Sequence, residues 1–123
     1  MQHIFLVFIG GGIGSVLRYL VGLRFNHENI PYGTLIVNII GSFLIGIAMG
    51  YHLKSVNHTL SESQIALVII GVFGGFTTYS SFMYENLQFL INEQYFRLLG
   101  YTLLSLILGF LAVFLGFIWG KYI

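Results

Sequence analysis

The hydrophobic residues of this chain fall into four long stretches separated by short polar segments. The stretches cover residues 4–23, 33–52, 65–91 and 98–120. An α-helix of about 20 apolar residues crosses the hydrocarbon core of a bilayer. The pattern therefore predicts an all-α membrane protein with four transmembrane helices, which form a single domain over residues 1–123.

The third stretch is interrupted near its middle by the run Gly74-Gly75-Phe76-Thr77-Thr78-Tyr79-Ser80-Ser81-Phe82. Glycines, hydroxyls and aromatic rings stand there in place of lipid-facing residues. Backbone can leave helical geometry at membrane depth only where protein or water surrounds it, because lipid cannot satisfy its N–H and C=O groups. The run predicts a third helix that is broken near its middle, and the break is the first candidate for a functional site.

The composition agrees with a membrane protein, since 57% of the residues are hydrophobic and 7% are charged, against about 25% charged in an average soluble domain. The net charge is +1 without a basic cluster, so no nucleic-acid partner is expected. The chain has no cysteine, and its histidines lack carboxylate or thiol partners at metal-ligand spacing. Hydroxyls without a base do not form a nucleophile system, so the protein is not expected to be an enzyme.

The positive charges in the connections do not fix an orientation in the membrane. Lys54 and Lys121 lie on one side of a four-helix topology, and Arg24 and Arg97 lie on the other. Orientation follows the Lys/Arg imbalance between short loops. This tie predicts dual topology, which makes an antiparallel twofold dimer available, although an oligomer of fixed orientation fits the charges equally well.

Glycine is frequent, with 16 residues, and it forms four GxxxG pairs. The pairs are Gly10/Gly14, Gly46/Gly50, Gly71/Gly75 and Gly116/Gly120. Small residues at this spacing let two membrane helices approach closely. We expect most of these glycines to serve helix packing.

Two charged residues lie inside the hydrophobic stretches, where a charge is costly unless it finds a partner. Arg18 could snorkel to the interface, or it could hold a helix end and line a vestibule for anions. Glu85 could be a proton or cation site, or it could brace a neighbouring helix, and the structural role is favoured.

Polar or small residues recur every four positions in the second and fourth stretches, namely Thr34, Asn38 and Ser42 and then Tyr101, Ser105 and Gly109. Each set lies on one face of a helix. Such a stripe usually joins helices by hydrogen bonds. Where it meets other polar stripes it can instead line a permeation path.

The predicted break could bind an ion of either sign. Carbonyl oxygens freed by the break could coordinate a hard cation, and the next half-helix begins with free N–H groups that favour anions. Hydroxyl donors and the positive edges of aromatic rings favour a small anion. From these residues alone the expected function is a channel or carrier for a small ion.

Three motifs in order resemble the Fluc (CrcB) fluoride channels. They are Gly11-Gly12-x-x-x-x-x-Arg18-Tyr19, Gly33-Thr34-x-x-x-Asn38 and the Gly74 to Phe82 run. The resemblance covers essentially the whole chain. It implies a fluoride-selective channel of the microbial plasma membrane that exports fluoride passively and confers fluoride resistance.

The resemblance also implies an assembly and its ligands. The expected assembly is an antiparallel dual-topology homodimer in the lipid bilayer, with two fluoride pores and a central structural sodium ion. The sodium ligands would be the backbone carbonyls of Gly74 and Thr77.

The family's pore residues correspond to Asn38, Tyr79, Ser80, Ser81, Phe82, Tyr101 and Ser105, with Glu85 as an acid near the pore and Arg18 near the vestibule. Two positions depart from the family pattern. Tyr79 stands where the family usually has Phe, and Gly109 replaces a hydroxyl residue. Because some members work as pairs of paralogous subunits, a paralogous partner is an alternative to the homodimer.

A proton-coupled small multidrug exporter is the alternative function. Such exporters are also four-helix, dual-topology proteins. Their essential carboxylate would be expected in the first span, where this chain has Arg18.

Overall fold

The computed structural model describes residues 1–27, 30–54 and 59–123. Residues 28–29 and 55–58 belong to the first two predicted connections. They lie outside the described residues, as does one of the four histidines, His58.

The described residues contain the four predicted helices, joined at one point by a very short hairpin. In chain order the elements are α1 (Gln2–Phe25), β1 (Asn26–His27), β2 (Ile30–Pro31), α2 (Tyr32–His52), α3 (Glu62–Gln64), a π-helix (Ile65–Phe73), α4 (Gly74–Phe76), α5 (Tyr79–Ile91) and α6 (Tyr95–Tyr122). The strands are antiparallel and pair Asn26 with Pro31. The third membrane span covers residues 62–91 and consists of α3, the π-helix, α4 and α5.

The interruption of the third span is narrower than the Gly74 to Phe82 run. Only Thr77 and Thr78 leave helical geometry, with ψ of 159° and 121°. Helix α5 begins at the next residue because the Thr78 hydroxyl caps it, accepting a hydrogen bond from the Ser81 N–H at 3.2 Å. The glycines and serines on either side stay helical.

The glycine pairs lie where helices touch. Helix α1 packs along the π-helix and α4, and α2 packs along α6. A Cβ atom built at Gly14 would lie 2.7 Å from the Phe76 nitrogen, and one built at Gly46 would lie 2.9 Å from the Phe117 nitrogen. Backbone fills the space that a side chain would need, so the expected packing role of these glycines is confirmed.

Large apolar side chains cover much of the outside of the single chain. Phe8 and Phe110, for example, are 76% and 70% exposed. The buried side chains are few, and one cluster joins Phe82, Phe89 and Tyr101 where α5 meets α6. Such an outer surface suits contact with lipid or with another chain.

Candidate functional site

Asn38 satisfies the backbone of the broken segment. Its Nδ2 donates to the Thr78 carbonyl at 2.9 Å, and its Oδ1 accepts from the Thr78 N–H at 2.8 Å. The Thr78 N–H would otherwise lack a partner inside the membrane, because the break takes it away from the Gly74 carbonyl. The amide near the centre of α2 therefore holds the extended residue in place.

Arg18 holds the other residue of the break. Its Nη1 donates to the Thr77 carbonyl oxygen at 3.0 Å, across 59 positions of sequence. The same side chain lines a cavity, described below. Arg18 thus binds a helix end, and its role in a vestibule for anions stays a prediction.

Glu85 joins three helices through its two carboxyl oxygens. Oε1 accepts from the Thr34 hydroxyl at 2.5 Å, and Oε2 accepts from the Tyr101 hydroxyl at 2.6 Å. Thr34 lies on α2 and Tyr101 on α6, while Glu85 itself lies on α5. Both oxygens have partners, as a bracing residue requires.

The two aromatic residues of the run have different surroundings. Phe82 is only 6% exposed, and its ring centroid lies 5.3 Å from that of Tyr101. Tyr79 is 74% exposed, with its ring 6.2 Å from Phe82. Ser80 is also exposed, whereas Ser81 is half-buried. The structure therefore gathers Ser81, Phe82 and Tyr101 inside the chain and leaves Tyr79 and Ser80 on its surface.

Two cavities adjoin the break. The larger, about 530 Å³, is lined by residues that include Arg18, Thr34, Ser81 and Glu85. The smaller, about 330 Å³, is lined by residues that include Asn38, Ser42, Gly74, Thr77 and Tyr79. Thr78 lines both cavities. The broken segment thus lies between two cavities, and Arg18 and Glu85 line only the larger one.

The stripes of the second and fourth spans approach each other. A Cβ atom built at Gly109 would lie 3.9 Å from the Ser42 hydroxyl oxygen. The Ser105 hydroxyl is buried and has no hydrogen-bond partner among the described residues. A buried polar oxygen of this kind points to an ordered water or a ligand as its partner.

Two polar residues that sequence reasoning missed lie beside this site. Asn86 is buried and accepts a hydrogen bond from the Thr102 hydroxyl at 2.9 Å. The sequence signal for Asn86 was its position directly after Glu85 in a hydrophobic stretch. Neither Asn86 nor Thr102 belongs to a polar stripe of four-residue spacing.

Comparison with known proteins identifies the family. A protein-family sequence model described as "CrcB-like protein, Camphor Resistance (CrcB)" matches residues 5–117. The chain belongs to this CrcB family. This CrcB-family chain is 48% identical over 120 residues to the fluoride-specific ion channel FluC of Gloeothece citriformis, with 94% of each chain covered.

Further relatives of this CrcB-family chain carry the same description. The fluoride-specific ion channel FluC of Azobacteroides pseudotrichonymphae is 46% identical over 121 residues, with 96% of this chain and 95% of the relative covered. That of Phocaeicola vulgatus is 43% identical over 122 residues, with coverage of 97% and 98%. With four apolar helices of bilayer-crossing length in its described residues, this CrcB-family chain is a multi-pass protein of the cell membrane.

Proposed function

We propose that this CrcB-family chain is a fluoride-selective ion channel, not an enzyme. In this proposal it lets fluoride leave the cytoplasm passively, which lowers intracellular fluoride and confers fluoride resistance. The observation that carries the proposal is the similarity, over nearly the whole chain, to relatives described as fluoride-specific ion channels.

The buried polar residues suit a path for a small hydrated anion. The anion enters the 530 Å³ cavity, where the Arg18 guanidinium supplies a positive charge. It then passes Ser81 and the rings of Phe82 and Tyr101, and it reaches the Ser105 hydroxyl, for which the described residues offer no hydrogen-bond partner. Hydroxyls and ring edges bind weakly, which conduction requires because a bound ion must also leave.

The exposed side chains of Tyr79 and Ser80 suit contact with a second copy of the chain. In the proposed antiparallel homodimer, Tyr79 and Ser80 complete the path of each chain at the contact between the copies, with Asn38 beside it, so that the dimer has two pores. Tyr79 is 74% exposed in the single chain, so its ring is free to meet a partner. A paralogous subunit could take the place of the second copy.

Dual topology can be tested directly because the chain contains no cysteine. Single cysteines at Glu93 and Tyr122 would be labelled in intact cells with a membrane-impermeant maleimide. These positions lie on opposite sides of the proposed membrane topology. Dual insertion predicts that about half of the chains are labelled in each variant. Full labelling of one variant and none of the other would establish a fixed orientation instead.

The backbone at the break suits a structural sodium ion. The Gly74 carbonyl loses its usual helical donor, because the Thr78 N–H donates to Asn38. The Thr77 carbonyl accepts one hydrogen bond, from Arg18, and keeps a second lone pair. Carbonyl oxygens are ligands that hard cations prefer. We propose that Gly74 and Thr77 hold sodium at the contact between two copies, where it stabilises the dimer.

The proton-coupled exporter is not favoured. Its chemistry would need a carboxylate that is available to exchange protons with the substrate path. The Glu85 oxygens instead each accept a short hydrogen bond, from Thr34 and Tyr101.

Fluoride efflux from liposomes containing only this purified chain tests the channel function. Fluoride and chloride electrodes would record efflux after a potassium ionophore dissipates the membrane potential. Chloride-loaded liposomes test selectivity, and protein-free liposomes are the control for leakage. We expect fast fluoride efflux without chloride efflux. Equal efflux of both anions would contradict selectivity. The absence of fluoride efflux from liposomes with intact dimers would contradict a self-sufficient homodimer.

A further inference from the structure

Helices α5 and α6 are joined by two hydrogen bonds at consecutive positions. The Tyr101 hydroxyl donates to Glu85, and the Thr102 hydroxyl donates to the Asn86 Oδ1 at 2.9 Å. Both bonds connect residues that are 16 positions apart. Consecutive residues of a helix point in directions about 100° apart, because a turn takes about 3.6 residues. One bond alone acts as a pivot, whereas two in different directions add to helix packing and restrict the rotation of α5 against α6.

Asn86 also forms a hydrogen bond with the backbone of Phe82, one helical turn earlier. Its Nδ2 donates to the Phe82 carbonyl at 3.1 Å, within the same helix. The Asn86 side chain therefore links the backbone of Phe82 to Thr102. Asn86 is buried, so water does not compete for these bonds.

We propose that Asn86 and Thr102 are positioning residues that fix the Phe82 ring against Tyr101. The inference rests on the proposed function, in which both rings border the anion path. Neither Asn86 nor Thr102 touches the anion. Their role is to hold α5 in the rotation that turns the Phe82 ring toward α6, 5.3 Å from the Tyr101 ring.

Substitutions of Thr102 separate positioning from general stability. Thr102→Val keeps the shape of the side chain but removes the hydroxyl, and Thr102→Ser keeps the hydroxyl. Thr59→Val, outside the helices and exposed, is the matched control. Loss of one interhelical hydrogen bond should lower fluoride flux about three- to tenfold in Thr102→Val. Flux in Thr102→Ser should stay close to that of the unmodified chain.

A second measurement reports on the ring itself without any flux. The ¹⁹F resonance of 4-fluorophenylalanine at position 82 would be recorded in fluoride-free buffer, for the full chain in detergent. We expect one resonance in the unmodified chain and in Thr102→Ser, and a shifted or split resonance in Thr102→Val. An unchanged resonance in Thr102→Val would overturn the positioning role.

The flux and the ¹⁹F resonance together distinguish failure of the positioning role from failure of the channel function. A displaced resonance with undiminished flux would overturn the claim that the pair serves conduction. Absence of flux from the unmodified chain, together with a displaced resonance in Thr102→Val, would overturn the channel function and support the positioning of Phe82.

Discussion

The side-chain amide of Asn38 binds both backbone groups of Thr78, at 2.9 Å and 2.8 Å. Asn38→Asp removes the donor and sets a carboxyl oxygen against the Thr78 carbonyl. We expect the free energy of unfolding to fall by about 1–3 kcal/mol. Fluoride flux should fall about ten- to a hundredfold, because each 1.36 kcal/mol added to the barrier for conduction lowers the rate about tenfold. Thermal unfolding in detergent and liposome flux would measure the two effects.

Asn92→Asp provides the control, because Asn92 is exposed and its side chain donates to the Gln88 carbonyl at its own helix end, at 2.8 Å. Its flux should match that of the unmodified chain. Equal flux in Asn38→Asp and Asn92→Asp would show that the amide at position 38 has no part in conduction.

Replacement of the buried Phe82 ring tests the anion path. Phe82→Ile keeps an apolar side chain but removes the ring that packs 5.3 Å from the Tyr101 ring. We expect fluoride flux to be lost while the variant elutes at the same volume as the unmodified chain in size-exclusion chromatography. Phe96→Ile, at a position 94% exposed, should leave the flux unchanged. Normal flux in Phe82→Ile would remove this ring from the path.

The hydroxyl of Tyr101 is expected to contribute to stability through Glu85. Tyr101→Phe leaves a half-buried Glu85 carboxylate oxygen without its partner at 2.6 Å. This should cost about 1–3 kcal/mol in the free energy of unfolding. Tyr122→Phe, at a position 82% exposed, is the control. Identical melting temperatures for both variants would mean that the bond to Glu85 adds nothing to stability.

The close approach of α1 to the third span can be tested with two glycines of the same helix. An added methyl at Gly14 would overlap the Val72 carbonyl, whereas one at Gly12 meets nothing within 4 Å. Gly14→Ala should lower the free energy of unfolding by about 1–3 kcal/mol. Gly12→Ala should be neutral or slightly stabilising. Thermal unfolding in detergent would compare them, and equal melting temperatures would contradict the packing.

Sodium removal tests the proposed ion site through stability alone. An ion that binds only the folded protein stabilises it in proportion to the logarithm of its concentration above the dissociation constant. Replacing sodium by N-methyl-D-glucamine at constant ionic strength should therefore lower the melting temperature. A melting temperature that is independent of sodium would argue against the ion at Gly74 and Thr77.

The sequence predicted the architecture well because membrane spans leave a strong local signal. Length and hydropathy located all four helices, and the run of glycines and hydroxyls located the interruption. Its width was not predictable, since the Thr78 cap and the bond to Asn38 confine the break to two residues. The glycine pairs were informative because only a missing side chain permits backbone contact.

The partners of the buried polar groups could not be read from the sequence. Arg18 and Thr77 are 59 positions apart, and Thr34 and Glu85 are 51 apart. No local periodicity connects such residues. The pairing depends on the rotation of each helix about its axis, which is set by the packing of all the spans together.

The order of synthesis bears on how the break survives in the membrane. The residues that satisfy its backbone, Arg18 and Asn38, both precede Thr77 and Thr78 in the chain. The ribosome has therefore already released both partners when the broken segment emerges. The non-helical backbone of Thr77 and Thr78 can be accommodated on arrival, without waiting for the fourth helix to be made.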